Sequence, residues 1–393
     1  MKIGLFAENY YPYICGISPI LRMLLHRLKE AGHDVHLVVY DVPRIRDANK
    51  DNPQIIMLKG MKLPHFIVDN MCTTIVINRK KPLQQLKDIH FDVVHIHGEM
   101  SMAKIGLDYA REHNIPVVYT WHSLWKDIMF KTAWVAGYIA SLYVEQHNIK
   151  KIVRYCDVYT VPSMKVYKRA TRVINSKKLP VLLPSGIQIE PFLERDEKKI
   201  ANIRYQLRIE NKKVVLFLGR VSREKRSLTM LRYMKKTLQN NRNIVVLIVG
   251  TGYYQRHMAK WAKRHHLRDS VIFVGPVINR ETASYYQLAD VFVSGSKMET
   301  QGLTYIEAMT SGTVVLAQKD TVLEGVIEDG KNGLVFDNKE EFVKKLEYAL
   351  SNDLRDIKET AVKTGLQYSS EIYLKKLQDI YAKAINNHVD FKK

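Results

Sequence analysis

Short β-branched runs alternate along this chain with longer stretches whose apolar residues recur at helical spacing. In the first half the runs are Ile3–Phe6, Val35–Tyr40, Val93–His97 and Val117–Thr120. Turns at Gly32-His33-Asp34 and Phe91-Asp92 precede two of them, which predicts buried parallel strands. Between the first two runs, Ser18 to Glu30 carries Leu21, Leu24, Leu25 and Leu28 on one helical face. The second half repeats the pattern with Val214–Leu218, Ile244–Val249, Val271–Val274, Val291–Val293 and Val314–Ala317. Four of these run into glycine: Gly219-Arg220, Gly250-Thr251-Gly252, Gly275-Pro276 and Ser294-Gly295-Ser296. Thr229–Leu238 and His257–His266 read as intervening helices. Strand ends punctuated by glycine are where open α/β sheets bind ligands.

A length of 393 residues exceeds one ordinary core, so two α/β domains are expected. The boundaries read as 1–190 and 191–369, with the join near Pro184 to Ile200 and the polar run Glu194–Lys199 as a linker or short connecting helix. Residues 370–393 hold a terminal helix over Ser370–Asn387, with Tyr373, Leu374, Leu377, Ile380, Tyr381 and Ala384 on one face. Two such domains imply a cleft whose closure brings donor and acceptor together and excludes water, as a transferase requires.

Composition narrows the class. A hydrophobic share of 46% and a charged share of 26% describe a folded globular chain. Met1 to Glu8 reads as a strand rather than a signal peptide, and no run reaches the roughly 18 apolar residues of a membrane-spanning helix. Cys15, Cys72 and Cys156 make neither a metal spacing nor a disulfide framework, which fits a reducing cytoplasm. Cys156 reads as a buried thiol. The formal charge of +21 divides as +10 up to residue 195 and +11 after it, so it is not held in a tail. Such a surface favours an anionic partner. With no zinc finger, recognition helix or RNA-binding aromatic motif, nucleic acid is set aside in favour of an anionic membrane surface.

The segment Glu299-Thr-Gln-Gly-Leu-Thr-Tyr-Ile-Glu307 carries the most chemistry. It spaces two carboxylates eight positions apart and directs the amides of Gly302, Leu303 and Thr304 toward the strand end. Amide donors, a helix dipole and flanking acceptors suit a ligand anionic in one part and hydroxyl-rich in another, such as a nucleotide sugar. Arg220 and Lys225 can neutralise a diphosphate, or form a solvated basic loop. Glu299 and Glu307 can take sugar and ribose hydroxyls, or act as surface acids or a helix cap. His122 is either structural or a contact to the donor sugar. His95 and His97 share a strand face, and His97, with Gly98-Glu99 next to it, is the more plausible contact. A zinc site from these histidines is not expected, because no third ligand has suggestive spacing. Gly16 could admit phosphate to a backbone amide; the surrounding residues lack the dinucleotide fingerprint, which disfavours an NAD enzyme. Aromatic residues Trp125, Phe130, Trp134, Tyr138 and Tyr143 interleave with Lys126 and Lys131, ahead of Lys150, Lys151 and Arg154. They fit either a lipid interface or core packing, and Lys59 to Lys62 and Arg79 to Lys81 could add to a basic face.

Taken together, these motifs resemble the retaining family 4 glycosyltransferases of the two-Rossmann GT-B fold, over nearly the whole chain. The resemblance is strongest from Gly219 through Lys225, at Gly250 to Gly252, at Gly275-Pro276, and from Glu299 to Glu307. It implies that Arg220 and Lys225 bind the donor diphosphate, Glu307 the ribose and Glu299 the donor sugar. It also implies that His122 lies by the transferred sugar, that the Gly16 loop closes over phosphate, and that no divalent metal or other cofactor is needed. Gly250, Val277, Gly302 and Leu303 complete the implied donor site; His97, Glu99 and Trp125 would touch the acceptor or support those that do. The terminal helix would cross back to the first domain. Within the family, Glu299 to Thr304, His95-Ile-His97-Gly-Glu99 and Pro162-Ser-Met-Lys165 are similar to bacterial enzymes that glucosylate diacylglycerol from UDP-glucose at the cytoplasmic membrane face. The alternatives are a family 4 transferase acting on a polysaccharide, a teichoic-acid precursor or a protein serine, and a catalytically silent partner of such an enzyme.

Overall fold

The computed structural model describes residues 1–13, 16–59, 79–125, 138–139, 141–278 and 281–389. Cys15, Lys62, Cys72, Lys126, Phe130, Lys131 and Trp134 lie outside them, so most of the interleaved aromatic and basic expectation falls there. The chain divides into two compact units: Met1–Gly186 with Ser370–Lys393, and Ile187–Ser369. The join after Gly186 is four residues ahead of the expected 190/191 boundary.

Among the described residues the first unit builds a seven-stranded sheet in the order β3-β2-β1-β4-β5-β6-β7. Its strands are β1 Lys2–Ala7, β2 Asp34–Tyr40, β3 Ile55–Leu58, β4 Val93–His97, β5 Val117–Thr120, β6 Val158–Val161 and β7 Val181–Leu182. Neighbouring strands are parallel throughout. The sequence pattern had marked only four of these seven. β3 and β7 are short and only partly buried, and β6 is a four-residue run, so each gives little periodic signal. The order reverses at β1, whose neighbours are β2 and β4, and such a switch point opens a crevice beyond the strands' carboxyl ends. Glu8 follows β1 there, and Gly98-Glu99 follows β4. The terminal helix Ser370–Asn386 packs in this unit against the helix Ile17–Glu30 and against β5 and β6. Arg27 ties its start, donating to Ser370 Oγ at 3.1 Å and pairing with Glu371 at 2.8 Å.

The second unit forms a six-stranded parallel sheet, order β10-β9-β8-β11-β12-β13. These are β8 Lys213–Leu218, β9 Ile244–Val249, β10 Val271–Gly275, β11 Val291–Ser294, β12 Val314–Gln318 and β13 Leu334–Phe336. Alternate residues of one strand enter two different hydrophobic clusters: Val215 and Phe217 join one, Val214 and Leu216 the other. Both faces are therefore covered, which is why the strands read as unbroken apolar runs. The order reverses between β8 and β11, placing this unit's switch point beside Gly219-Arg220 and Ser294. One expectation changes here. The helix expected over Thr229–Leu238 is two helices, Ser227–Tyr233 and Lys235–Asn240, because Met234 leaves helical geometry (ψ 7°) with its side chain fully buried. The run Glu194–Lys199, expected as a linker or a short connecting helix, holds the start of the helix Glu197–Leu207, capped by Asp196, whose side chain accepts from the Lys199 amide at 2.9 Å.

Candidate active site

Backbone crowding shapes the second unit's switch point. Gly219 and Gly250, directly after β8 and β9, have φ of +130° and +124°, which L side chains rarely adopt. A Cβ on Gly250 would lie 2.0 Å from the carbonyl oxygen of Gly219. Only glycine lets the two strand ends close this tightly, with the Gly219 amide donating to Val249 O and the Val221 amide to Thr251 O, each at 2.9 Å. Above this floor lies a pocket lined by Gly219, Arg220, Lys225, Ser294, Glu299 and Thr304, among others.

Charges in the pocket come in pairs. Lys225 Nζ lies 2.7 Å from Glu299 Oε1, and both side chains are mostly shielded, at 28% and 15% exposure. Arg220 is more open (42%) and reaches Glu224 Oε1 at 3.3 Å. Glu224 also accepts from Ser222 Oγ and Tyr253 OH. The Arg220 pair, being exposed, contributes at most about 1 kcal/mol, so its guanidinium is cheaply redirected toward an anion. Gly302 starts the helix Leu303–Thr310 at φ +76° with no side-chain cap, and in the first turn the Tyr305 amide bonds the Gly302 carbonyl at 2.9 Å. Thr304 on that turn lines the pocket. Glu307, a turn further along, accepts from Tyr286 OH at 2.8 Å. Burial raises the Glu307 carboxyl, and the Tyr286 hydroxyl opposes the rise.

Of the expected donor-site residues, Arg220, Lys225 and Glu299 meet in this pocket. Gly250 lies just beyond β9 at its floor, Val277 and Leu303 pack partly buried on the unit's core, and Glu307 is held by Tyr286. Gly16 belongs to the other unit; its backbone is right-handed (φ −62°) and a Cβ there would meet nothing within 4 Å. Neither conformation nor crowding within that unit requires glycine at 16. Glu224 and Tyr286 escaped sequence reading. Glu224, four residues after Arg220, carried a local signal; Tyr286 carried none.

The first unit gathers three imidazoles beside its own switch point. His95, His97 and His122 are all buried, at 0%, 1% and 7% exposure. His97 Nδ1 and His122 Nε2 are 3.0 Å apart, and the His95 and His97 ring centroids lie 3.9 Å apart with the planes tilted by 39°. His95 is fixed at both nitrogens, Nδ1 to Tyr381 OH (2.8 Å) and Nε2 to Thr120 Oγ1 (2.7 Å). Burial pushes His122 down to about 4 and, with His122 nearby, His95 to about 3; burial lowers His97 as well. All three rings are therefore neutral at pH 7 and act through hydrogen bonds, not charge. Glu99 is buried, accepting from Trp125 Nε1 at 3.0 Å and Tyr119 OH at 3.2 Å. Trp125 is buried too, so these two side chains hold each other and the loop that carries His122.

Glu8 accepts from the Met102 amide at 2.8 Å, at the start of the helix Ser101–His113. Burial, aided by the Glu99 charge, pushes its carboxyl up to about 7. The folded chain thus keeps a proton that the unfolded chain releases, so this group's contribution to stability falls as pH rises from about 4.5 to about 7. Glu8→Gln keeps the acceptor oxygen but cannot ionise. Its melting temperature should gain on the wild type between pH 5 and pH 8, by on the order of 2 kcal/mol in stability. Parallel pH dependences of the two proteins would refute the assignment.

Two parallel α/β units, one with basic and acidic side chains paired at its switch point, are the architecture of the GT-B class. Residues 199–364 match the family described as Glycosyl transferases group 1, and residues 14–190 match Glycosyltransferase Family 4. The chain is 29% identical to an alpha-monoglucosyldiacylglycerol synthase of Acholeplasma laidlawii, over 99% of this chain and 98% of that one. It is likewise 29% identical to the alpha-monoglucosyldiacylglycerol synthase of Streptococcus pneumoniae, over 98% and 86% of the two chains. Among solved structures, Anabaena HepE in complex with UDP and glucose shares the fold, with a TM-score of 0.78 at 14% identity and coverage of 97% and 99%. The chain is a GT-B glycosyltransferase of the family 4 type, a hexosyl-transferring enzyme. No helix of the described residues is long and apolar enough to cross a membrane.

Proposed function

We propose that this enzyme transfers glucose from UDP-glucose to diacylglycerol, with retention at the anomeric carbon, while docked on the cytoplasmic face of an anionic membrane. The observation that carries the reading is the Lys225–Glu299 pair beside Arg220 in the switch-point pocket. The two near-full-length relatives named as monoglucosyldiacylglycerol synthases support the choice of acceptor. The formal charge of +21 favours an acidic bilayer.

In this mechanism Arg220 and Lys225 stabilise negative charge on the diphosphate as its bond to the anomeric carbon breaks. Glu307 takes the ribose hydroxyls, and Glu299 orients the hexose and supports positive charge on its ring. The diacylglycerol hydroxyl attacks that carbon from the face UDP leaves. The new carbon–oxygen bond forms there, and the hydroxyl proton passes to the departing phosphate oxygen. No protein nucleophile takes part, and the basic side chains and helix dipole do the work a divalent metal would do.

The test is a product assay with UDP-glucose, UDP-galactose and GDP-mannose against diacylglycerol in anionic and zwitterionic vesicles. Glucosyl-diacylglycerol is expected from UDP-glucose alone, faster on anionic vesicles. Glu307→Ala and Arg220→Ala should lose most turnover with the fold intact. A soluble glycan or a protein serine as the better acceptor would overturn the lipid assignment, and near-full activity of both variants would overturn the site.

A further inference from the structure

We infer that His97 fixes the proton of His122, holding it as the Nδ1–H tautomer so that it presents a permanent, uncharged hydrogen-bond donor to a ligand oxygen. His97 is a positioning residue in this arrangement, and its functional consequence rests on the glycosyl-transfer reading above.

The geometry permits two proton arrangements. The His97 and His122 rings are nearly coplanar, 18° apart with centroids at 5.3 Å, so the 3.0 Å Nδ1···Nε2 contact runs edge to edge along one shared proton. If His122 donates, His97 must carry its own proton on Nε2. That atom is buried and, among the described residues, has no hydrogen-bond partner. A buried N–H without an acceptor is the rarer and costlier defect; a bare ring nitrogen without a donor is better tolerated. The proton of His97 therefore sits on Nδ1 and is donated to His122 Nε2, which forces the proton of His122 onto Nδ1.

The surroundings leave His97 no other solution. The neighbouring imidazole, His95, is already saturated by Tyr381 and Thr120, and Thr120 passes the chain on to Thr160 at 2.8 Å. His95 touches His97 only ring to ring and offers no acceptor for its Nε2. Its strand fixes the His97 backbone, since β4 pairs β1 with Ala7 opposite His97. Among the described residues, none bonds the Nδ1 atom of His122, so that donor is left for a ligand. A hydroxyl or phosphate oxygen is the matching acceptor class, because a neutral N–H neither repels a sugar ring nor titrates near pH 7.

Nitrogen-15 spectra of histidine-labelled full-length protein report the tautomer directly, with His122 assigned by its loss in His122→Asn. An isolated imidazole favours the Nε2 proton, so an Nδ1–H signal from His122 is a result an unconstrained ring does not give. The expected result is Nδ1–H in the wild type, retained in His97→Asn, whose amide nitrogen replaces Nδ1, and lost in His97→Phe. An Nε2–H signal in the wild type, or an Nδ1–H signal that survives His97→Phe, overturns the inference. The wild-type spectrum decides this even if a variant fails to fold. In turnover, His97→Phe should lower kcat by about tenfold with little change in the acceptor KM, and His97→Asn should recover most of it. Equal losses in the two variants would mark a merely structural role. If no donor is turned over at all, the glycosyl-transfer reading fails while the spectra still decide the tautomer.

Discussion

Replacing Lys225 by methionine is expected to cut kcat/KM for the nucleotide sugar by about 10²–10³-fold, with the fold retained. The expectation follows from what each cation in the pocket is bonded to. Arg220 is 42% exposed and its partner Glu224 also accepts from a serine and a tyrosine, so removing Arg220 takes a cation from the diphosphate but leaves Glu224 with two other donors. Lys225 is 28% exposed and faces Glu299, which is only 15% exposed. Removing it takes a cation from the leaving diphosphate and also leaves a shielded carboxylate beside an anionic donor. Two unit charges 4 Å apart interact by about 4 kcal/mol at an effective dielectric of 20, several times what an exposed pair contributes. The pair is therefore coupled: Lys225→Met with Glu299→Gln should be clearly better than the product of the two single losses. Steady-state kinetics of the four proteins, with circular dichroism as the check on folding, test this. A Lys225→Met enzyme keeping more than about a third of wild-type kcat/KM would remove the pocket from the chemistry.

Gly250→Ala should be the most damaging single methyl group in the second unit. Its φ of +124° is closed to alanine, and the new Cβ would lie 2.0 Å from the Gly219 carbonyl oxygen. Relief by a side-chain shift is impossible, because the clash is with backbone. Relief by a backbone shift must break the Gly219 bond to Val249 at 2.9 Å or the Gly250 bond to Gly275 at 2.8 Å. A loss of about 4 kcal/mol, or roughly 10 °C in melting temperature, is expected. Gly16→Ala is the control, since its φ is −62° and a Cβ would meet open space, and it should stay within about 1 kcal/mol of wild type. Thermal unfolding of the two variants checks both, and similar melting of Gly250→Ala and wild type would mean the strand ends are not this close in solution.

Much of the second unit was legible because its strands are long, fully apolar and stopped by glycine. Val214 to Leu218 and Ile244 to Val249 meet all three conditions, and the pocket lies where they end. Lys225 and Glu299 could be singled out because each sits within a few residues of such a strand end or of the helix that follows. The first unit was less legible. β3 and β7 are too short and too exposed to show a period, and β6 is a run of four. His95 and His97 could be placed on one face of a strand, yet nothing local distinguishes a ring that touches a ligand from one that orients its neighbour.

Local pattern along the chain was enough for nine of the thirteen strands among the described residues and for the glycine-ended loops, because each depends on spacings of two to four residues or on one residue's backbone freedom. Tertiary structure alone decided the strand orders, and hence the switch points beside Glu8 and Arg220. It also decided the partners that set chemistry across distance, such as Tyr381 bonding His95 from 286 positions away. Those pairings arise when covering both sheet faces brings remote elements together. Only then does loss of water keep the three imidazoles neutral and make their hydrogen-bond partners matter.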